Sequence, residues 1–186
     1  MPRMIGNSIT QKIGSPMEGF QLADLERKQI TLQMILAGKK GAVVVFWSGM
    51  CSHCARYDNY LNSFGQRYAE IGLVVVASRP PETLAQLRAT CATRQLRFPI
   101  LKDAAGQLAK RWFTQQTPRV FLLDANCVLL YRGAIDNFKC PGDPEFVPYL
   151  DIALEEFLAQ RPITRSEIAS FGCAIQSIYY DFPKAL

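Results

Sequence analysis

The chain has 186 residues, 49% of them hydrophobic and 20% charged, with a net charge of +5. These values are typical of one soluble globular domain with its own core. The basic side chains form no dense run of the nucleic-acid or membrane-surface type, and no apolar stretch approaches the ~20 residues that cross a bilayer. Residues 1–13 lack the apolar core of a secretory signal. We therefore expect a cytoplasmic protein, or a periplasmic or extracytoplasmic one if a leader was removed.

The N-terminal part of the chain predicts an arm, a hairpin and a buried strand. Residues 1–18 show little periodicity, which indicates a flexible arm. Residues 20–22 and 29–32 alternate around a polar link and predict a short β-hairpin, and a helical turn is expected at 32–37. The β-branched run 42–46 is typical of a buried strand.

An amphipathic helix is predicted directly after that strand. Its apolar residues recur at three- and four-residue steps from Tyr57 to Ile71, and the helix is expected to close at Gly72. Cys51 and Cys54 therefore lie where a strand ends and a helix begins. Unpaired backbone N–H groups and the helix macrodipole stabilise a thiolate there, and two cysteines at this spacing are close enough to bridge. The pattern indicates a redox dithiol.

The remaining segments complete one α/β domain. Strands are predicted at 73–77, 98–101, 120–123 and 128–131, the last two as a hairpin, and helices from about 82 to 96, at 104–113 and at 147–158. Strand–helix–strand units give parallel strands and the hairpin adds antiparallel ones, so the sequence predicts a mixed central sheet flanked by helices. The domain is expected to span 19–160, followed by a tail, 161–186, without clear periodicity.

Two motifs resemble a known fold. The first, Phe-Trp-Ser-Gly-Met-Cys-Ser-His-Cys at 46–54, resembles the active-site signature of thioredoxin-fold proteins, and the second, Thr-Pro-Arg-Val-Phe-Leu-Leu-Asp at 117–124, resembles the segment that holds their cis-proline. Segments 20–32 and 131–136 are similar to the redoxin branch, the thioredoxin-like members of the alkyl hydroperoxide reductase/thiol-specific antioxidant superfamily. The resemblance covers approximately residues 16–160. It implies a thioredoxin-like thiol–disulfide oxidoreductase that acts on protein disulfides or dithiols, works with a protein reductant or oxidant, and uses no cofactor or metal.

The resemblance also implies roles for single residues. Cys51 is expected to be the exposed attacking sulfur, and Cys54 the resolving thiol. Pro118 is expected to be cis and opposite Cys51, which leaves the backbone around Thr117 free to pair with an extended substrate peptide. Trp47 is expected to form a wall of the site.

The residue between the cysteines bears on the redox poise. A partly charged imidazole at His53 would favour the thiolate form of Cys51. Because a stabilised thiolate favours the reduced pair, we expect a couple that is more oxidising than one with a Gly-Pro spacing.

Three positions depart from the pattern of thioredoxins and their membrane-anchored relatives. Val45 replaces a buried Asp, Tyr57 replaces a Glu, and Met50 replaces an aromatic residue. The sequence therefore identifies no proton acceptor for Cys54. The nearest carboxylate in sequence, Asp58, is expected to lie at the surface.

Other functions remain open as alternatives. A structural disulfide or half a zinc site would also use this pair, although zinc needs two more ligands and His53 is the only histidine. A peroxiredoxin-like peroxidase needs an Arg at the attacking cysteine. Ser48 fits that pattern and Arg119 is the candidate Arg, but Val44 stands where a Pro is expected. A third alternative is a non-enzymatic peptide-binding module of the same fold.

Four further cysteines are isolated in the sequence. Cys91 is expected to be a buried small hydrophobe and Cys127 an exposed turn thiol. Cys140 and Cys173 flank the last helix and are expected to be unpaired surface thiols. A disulfide between them that ties down the tail, or a role for Cys173 in passing electrons, are the alternatives.

Overall fold

The computed structural model describes residues 11–175 of the chain. Its strands are β1 Gln21–Asp24, β2 Gln29–Thr31, β3 Gly41–Trp47, β4 Ile71–Ala77, β5 Ile100–Lys102, β6 Gln116–Thr117, β7 Arg119–Asp124, β8 Leu129–Gly133 and β9 Cys173–Ala174. Its helices are α1 Leu32–Leu36, α2 Ser52–Ala55, α3 Asp58–Arg67, α4 Leu84–Arg94, α5 Gln107–Arg111 and α6 Tyr149–Leu158, with a 3-10 turn at Ala104–Gly106.

Seven of the strands form one mixed sheet in the order β2-β1-β5-β4-β3-β7-β8. The central strand β3 runs parallel to β4 and antiparallel to β7. The remaining strands, β6 and β9, form a separate antiparallel pair. The predicted α/β fold with a mixed central sheet, flanking helices and an N-terminal hairpin is confirmed.

The central strand is buried on both faces because helices cover both sides of the sheet. Val43 and Val45 pack into one cluster with residues of α3, α4 and α6, whereas Val44 and Phe46 pack into a second cluster with residues of α1 and α5. A strand covered in this way needs an unbroken apolar sequence, which the run 42–46 supplies. It is therefore a rigid support for the loop that follows it.

The helix predicted after the cysteines differs from the prediction in two ways. It is interrupted after one turn, because Tyr57 adopts non-helical backbone angles while its hydroxyl donates to Asp136 Oδ1 at 2.6 Å. It also ends at Arg67 rather than at Gly72, since both Ile71 and Gly72 belong to β4.

Gly72 is needed within the strand for close packing. A Cβ at this position would lie 2.5 Å from the carbonyl oxygen of Ile35. The glycine that the sequence suggested as a helix end therefore permits close contact between β4 and the end of α1.

The helix predicted at 104–113 is also shorter than expected. It consists of the 3-10 turn and α5, with Ala105 and Gly106 in left-handed conformations between Asp103 and α5. The Asp103 carboxylate caps α5 by accepting hydrogen bonds from the N–H groups of Leu108 and Ala109 at 2.9 and 3.0 Å.

The described parts of the predicted arm and tail are hydrogen-bonded to the domain. The N–H of Gly14 donates to Leu129 O, and that of Met17 to Cys127 O, both at 2.8 Å. In the tail, the N–H of Ile168 donates to Arg132 O at 3.0 Å. The boundaries of arm, domain and tail stay a prediction.

Candidate active site

The two motif cysteines follow β3 across a tight turn. Cys51 is the N-cap residue of α2, and its N–H donates to Ser48 O at 3.1 Å. Cys54 lies inside the same helical turn, where its N–H donates to Cys51 O at 3.0 Å. Both are free thiols. The structure therefore describes the reduced form of the pair.

The turn before Cys51 is held by a residue that the sequence did not single out. Glu82 is 1% exposed and accepts a hydrogen bond from Met50 N–H at 3.2 Å. Burial raises the pKa of the Glu82 carboxyl, and the Ser48 hydroxyl partly offsets this by hydrogen bonding to it. Glu82 follows two prolines and looked like an ordinary first residue of a helix, so only the fold shows its contact with the loop.

The environments of the two thiols separate their acidities. A hydrogen bond from Cys54, with further ones from Cys173 and Thr117, outweighs burial and lowers the pKa of Cys51 to about 4. The pKa of Cys54 is strongly raised by burial and by its interaction with Cys51. Two neighbouring groups with divergent acidities can take different roles in one reaction. Here Cys51 is the thiolate and Cys54 the thiol.

The helix that carries the two cysteines is shorter than the sequence suggested. The helix α2 has four residues, and the largest effect on Cys51 comes from the Cys54 thiol. Hydrogen bonds to the charged form favour that form, so the lowered pKa depends on the neighbouring sulfur and hydroxyl groups.

The second motif reaches the cysteines as predicted. The peptide bond between Thr117 and Pro118 is cis, and the Thr117 carbonyl oxygen lies 3.4 Å from the sulfur of Cys51, a hydrogen bond that Cys51 donates only in its protonated form. The Thr117 side chain also hydrogen-bonds to Cys54. The structure thus brings Cys51, Cys54, Thr117 and Pro118 together.

Two predictions about this contact are wrong. Cys51 was expected to be exposed, but it is 1% exposed. The backbone of Thr117 was expected to be free, but it pairs with Cys173 in the β6–β9 ladder. The cause is the same in both cases, since the tail strand β9 lies across the site.

Trp47 and His53, the other two motif residues singled out from the sequence, lie on different sides of the site. Trp47 is fully buried in the same cluster as Cys51 and Cys54, with the Arg94 guanidinium 5.3 Å from its ring. His53 is exposed, and its Nδ1 lies 3.0 Å from the guanidinium of Arg56.

The contact of His53 bears on its predicted effect. Because Arg56 only donates, Nδ1 of His53 is the acceptor in this contact. The influence of the imidazole on Cys51 stays a prediction.

The predicted surface carboxylate Asp58 is instead part of a half-buried ion pair. Its two oxygens accept from Nε and Nη2 of Arg94, each at 2.6 Å. The same guanidinium donates to Gly49 O at 2.9 Å. Asp58 and Arg94 therefore connect α3, α4 and the turn before Cys51.

The candidate arginine of a peroxidase site lies elsewhere. Arg119 is close to Arg132 and Glu167, and its Nη1 donates to Ser170 Oγ at 3.5 Å. The pKa of Cys51 is lowered by hydrogen bonds from Cys54, Cys173 and Thr117 rather than by this guanidinium. The geometry therefore offers no support for peroxide activation by Arg119.

The other cysteines fall into two groups. Cys91 and Cys127 are partly buried and Cys140 is exposed, and all are free thiols. Cys173 is also free, but it is hydrogen-bonded to Cys51. Within residues 11–175, no cluster of three or more His, Cys, Asp or Glu side chains is arranged to hold a metal ion. No helix in the same residues is long and apolar enough to cross a membrane.

An open groove borders the site on the side of His53. Its volume is about 480 Å³. Its walls combine aromatic and aliphatic side chains with basic ones and include His53, Arg56, Pro118, Ile135, Phe138 and Phe171.

Solved structures with a similar backbone place this arrangement in a known class. The thioredoxin domain of a thiol-disulfide oxidoreductase from Bacteroides vulgatus matches with a TM-score of 0.59 at 13% identity, covering 80% of this chain and 96% of that one. A hypothetical protein, SMc02350, from Sinorhizobium meliloti matches with a TM-score of 0.78 at 26% identity, covering 88% of this chain and 93% of that one. The chain is a thioredoxin-fold protein with a Cys-x-x-Cys pair.

Sequence comparison narrows this class to a family. The AhpC/TSA family model matches residues 13–132, and the chain belongs to this family. Among curated proteins, it is 29% identical over 113 residues to the thiol-disulfide oxidoreductase ResA of Bacillus thuringiensis subsp. konkukian. That match covers 61% of this chain and 64% of the relative, so the chain spans less than two thirds of the length of this ResA. The predicted redoxin membership is confirmed.

Proposed function

We propose that this protein is a thiol–disulfide oxidoreductase in which Cys51 and Cys54 exchange a disulfide with a protein partner. The observation that carries the proposal is the meeting of the Cys51–Cys54 turn with the cis Thr117–Pro118 peptide, where the Thr117 carbonyl oxygen lies 3.4 Å from the Cys51 sulfur. The pKa of Cys51 is lowered to about 4 and that of Cys54 is raised, which agrees with this geometry. The thiolate is the nucleophile in disulfide exchange. The similarity to ResA and membership of the AhpC/TSA family support the same chemistry.

The pair supports a two-step reaction. The Cys51 thiolate attacks a sulfur of the partner disulfide, which forms a mixed disulfide and releases one partner thiolate. The bond removes the negative charge that had raised the pKa of Cys54, so Cys54 ionises more easily at this stage. Cys54 then attacks Cys51, which forms the Cys51–Cys54 disulfide and releases the second partner thiolate. The same steps in reverse oxidise a dithiol.

The roles of the supporting residues follow from their contacts. The Thr117 side chain lies beside both sulfurs, and Glu82 and Arg94 form hydrogen bonds with the turn that carries Cys51. Pro118 and His53 lie where the groove meets the pair, and Trp47 forms its buried wall. The partner is expected to be a protein disulfide or dithiol. Its cellular compartment stays a prediction from the sequence.

Turnover with single-cysteine variants tests the proposal. We expect the reduced protein to reduce insulin disulfides, Cys51→Ser to abolish this activity, and Cys54→Ser combined with Cys173→Ser to accumulate a mixed disulfide with the substrate. The matched control Cys140→Ser, which replaces an exposed free thiol, should retain activity. Insulin reduction by Cys51→Ser would contradict the proposal. Rapid peroxide consumption that survives Cys54→Ser but not Cys51→Ser would instead identify a peroxidase.

A further inference from the structure

The tail strand β9 occupies the edge at which a substrate peptide was expected to bind. Cys173 pairs with Thr117 and Ala174 pairs with Gln116 in an antiparallel ladder. The Thr117 hydroxyl donates to Cys173 O at 3.4 Å. One residue further, the N–H of Ile175 donates to Gln115 O at 2.8 Å. The tail therefore binds this edge as an added strand, which is a common way to hold a peptide.

The sequence of the tail fits this close approach. A Cβ at Gly172 would clash with the carbonyl oxygen of Thr117, so only glycine allows the tail to lie this near to the strand. Before it, Ser170 lies in contact with the Gln116 amide, which donates to its carbonyl oxygen and, at 3.1 Å, to its hydroxyl. The contacts of Ser170 and Gly172 set the position of Cys173, which follows Gly172 in the chain.

The thiol of Cys173 meets the reactive sulfur. The Cys173 thiol is hydrogen-bonded to Cys51. The sulfur of Cys173 also accepts a hydrogen bond from the backbone N–H of His53. Cys51 is 1% exposed beneath the tail, whereas Cys173 is partly exposed. With the tail in this position, an external disulfide reaches Cys173 more readily than it reaches Cys51.

We propose that Cys173 is a third redox-active cysteine, which exchanges a disulfide with Cys51 from the position of a bound substrate. The inference rests on the proposed function of the Cys51–Cys54 pair. In the oxidised protein, the Cys173 thiolate attacks the Cys51 sulfur, the Cys51–Cys173 bond forms, the Cys51–Cys54 bond breaks, and Cys54 leaves as a thiolate that takes up a proton. No electrons are gained or lost overall. The disulfide thereby moves from a buried pair to a partly exposed sulfur.

The pairing of β9 with β6 makes this exchange efficient, because it holds Cys173 at the site. The tail sulfur is already in contact with Cys51, so the step is intramolecular, and pre-oriented groups of this kind react with high effective concentration. A free partner thiol would first have to displace β9 from Thr117. The proposed route therefore lets the pair react while the tail remains bound.

A trapping experiment tests the inference. Reduced Cys54→Ser is treated with glutathione disulfide, and its peptides are identified by mass spectrometry after trypsin digestion without reduction. Cys51 and Cys173 fall in separate tryptic peptides, 41–56 and 166–184. One of the two thiols, Cys173 or Cys51, takes one glutathione and releases the other, and its neighbour then displaces the bound one. We expect the two peptides to be disulfide-linked in most molecules, with two glutathione thiols released per chain.

Matched double variants separate the possible outcomes. Cys54→Ser with Cys173→Ser should keep one glutathione on Cys51, and Cys54→Ser with Cys140→Ser should form the same linked peptides as Cys54→Ser alone. Glutathione retained on Cys51 of Cys54→Ser beside a free Cys173 would overturn this inference and leave the proposed function standing. A Cys54→Ser protein that neither takes up glutathione nor forms the bond would overturn both.

Gly172→Ala in the Cys54→Ser background provides a second readout that keeps every reacting thiol. Displacing the tail should slow formation of the Cys51–Cys173 bond by up to about 100-fold, the effect of a misplacement near 1 Å. It should also speed the first reaction of Cys51 with glutathione disulfide, because Cys51 becomes exposed. Rates that both stay unchanged would contradict the proposed role of the tail.

Discussion

The sulfur of Cys51 lies 3.4 Å from the carbonyl oxygen of Thr117, although 66 residues separate the two in the chain. The side chain of the same threonine hydrogen-bonds to Cys54, and its backbone pairs with Cys173. Thr117 therefore contacts all three cysteines of the site. This one residue joins the end of β3, the helix α2 and the tail.

The first prediction concerns the acidity of Cys51. We expect its thiolate absorbance in the ultraviolet to titrate with a midpoint near pH 4 in the reduced protein, because the lowered pKa of Cys51 is about 4. Cys54→Ala should raise the midpoint by about 1 unit or more, since a hydrogen bond to a charged group contributes about 1.5–3 kcal/mol and one unit corresponds to about 1.4 kcal/mol.

Two variants serve as controls for this titration. Cys54→Ser keeps a donor and should shift the midpoint less than Cys54→Ala, whereas Cys51→Ser should remove the low step entirely. A midpoint near the ordinary thiol value in the wild-type protein would contradict the proposed role of the neighbouring thiol.

The hydroxyl of Thr117 should contribute separately. Thr117→Val keeps the shape of the side chain but removes the hydrogen bond, so the pKa of Cys51 should rise, by about 1 unit at most. Thr114→Val is the matched control, because Thr114 is buried but its hydroxyl has no hydrogen-bond partner among the described residues. Equal titration midpoints in the two variants would show that the Thr117 hydroxyl has no role.

The lowered pKa of Cys51 also predicts how stability depends on pH. The pKa of Cys51 falls from about 8.5 in an unfolded chain to about 4 in the folded one, so the folded state binds fewer protons between these values. The resulting stabilisation is complete above the unfolded value and is lost as the pH falls through 4.

Urea unfolding of the reduced protein measures this effect. The difference in unfolding free energy between wild type and Cys51→Ala should be larger at pH 8 than at pH 5. A difference that is the same at both values would contradict a thiolate at Cys51 in the folded state.

The ion pair between Asp58 and Arg94 should stabilise the fold around the site. Arg94→Ala removes two hydrogen bonds to a half-buried carboxylate and one to Gly49 O, so we expect a loss of about 2–3 kcal/mol in urea unfolding. Lys40→Ala removes the exposed pair with Glu70 and should cost less than about 1 kcal/mol. Similar losses for both would show that the Arg94 contacts contribute no more than a surface pair.

The sequence predicted the features that depend on local pattern. The run 42–46 has the apolar continuity that a strand covered on both faces requires, and the Cys-x-x-Cys and Thr-Pro motifs lie where the resemblance placed them. The predicted helix end at Gly72 was wrong, because this glycine is required by close packing against Ile35. Ile35 is distant in the chain, so the residues next to Gly72 give no sign of this contact.

The tail could not be predicted for a similar physical reason. The strand β9 has two residues, too few to show any periodicity, and its position depends on pairing with Gln116 and Thr117 and on the missing side chain of Gly172. Glu82 was missed because a buried carboxylate is identified by the fold around it rather than by its neighbours in sequence.

The central claim is that Cys51 and Cys54 form a reversible redox couple, and its most direct test is equilibration of the protein with glutathione redox buffers. We expect a two-electron transition that is lost in Cys51→Ser and in Cys54→Ser combined with Cys173→Ser, with a potential more positive than the value of about −270 mV for thioredoxin, because the stabilised thiolate favours the reduced pair. A protein whose Cys51 and Cys54 stay reduced, or never join to each other, at every buffer ratio would contradict the account.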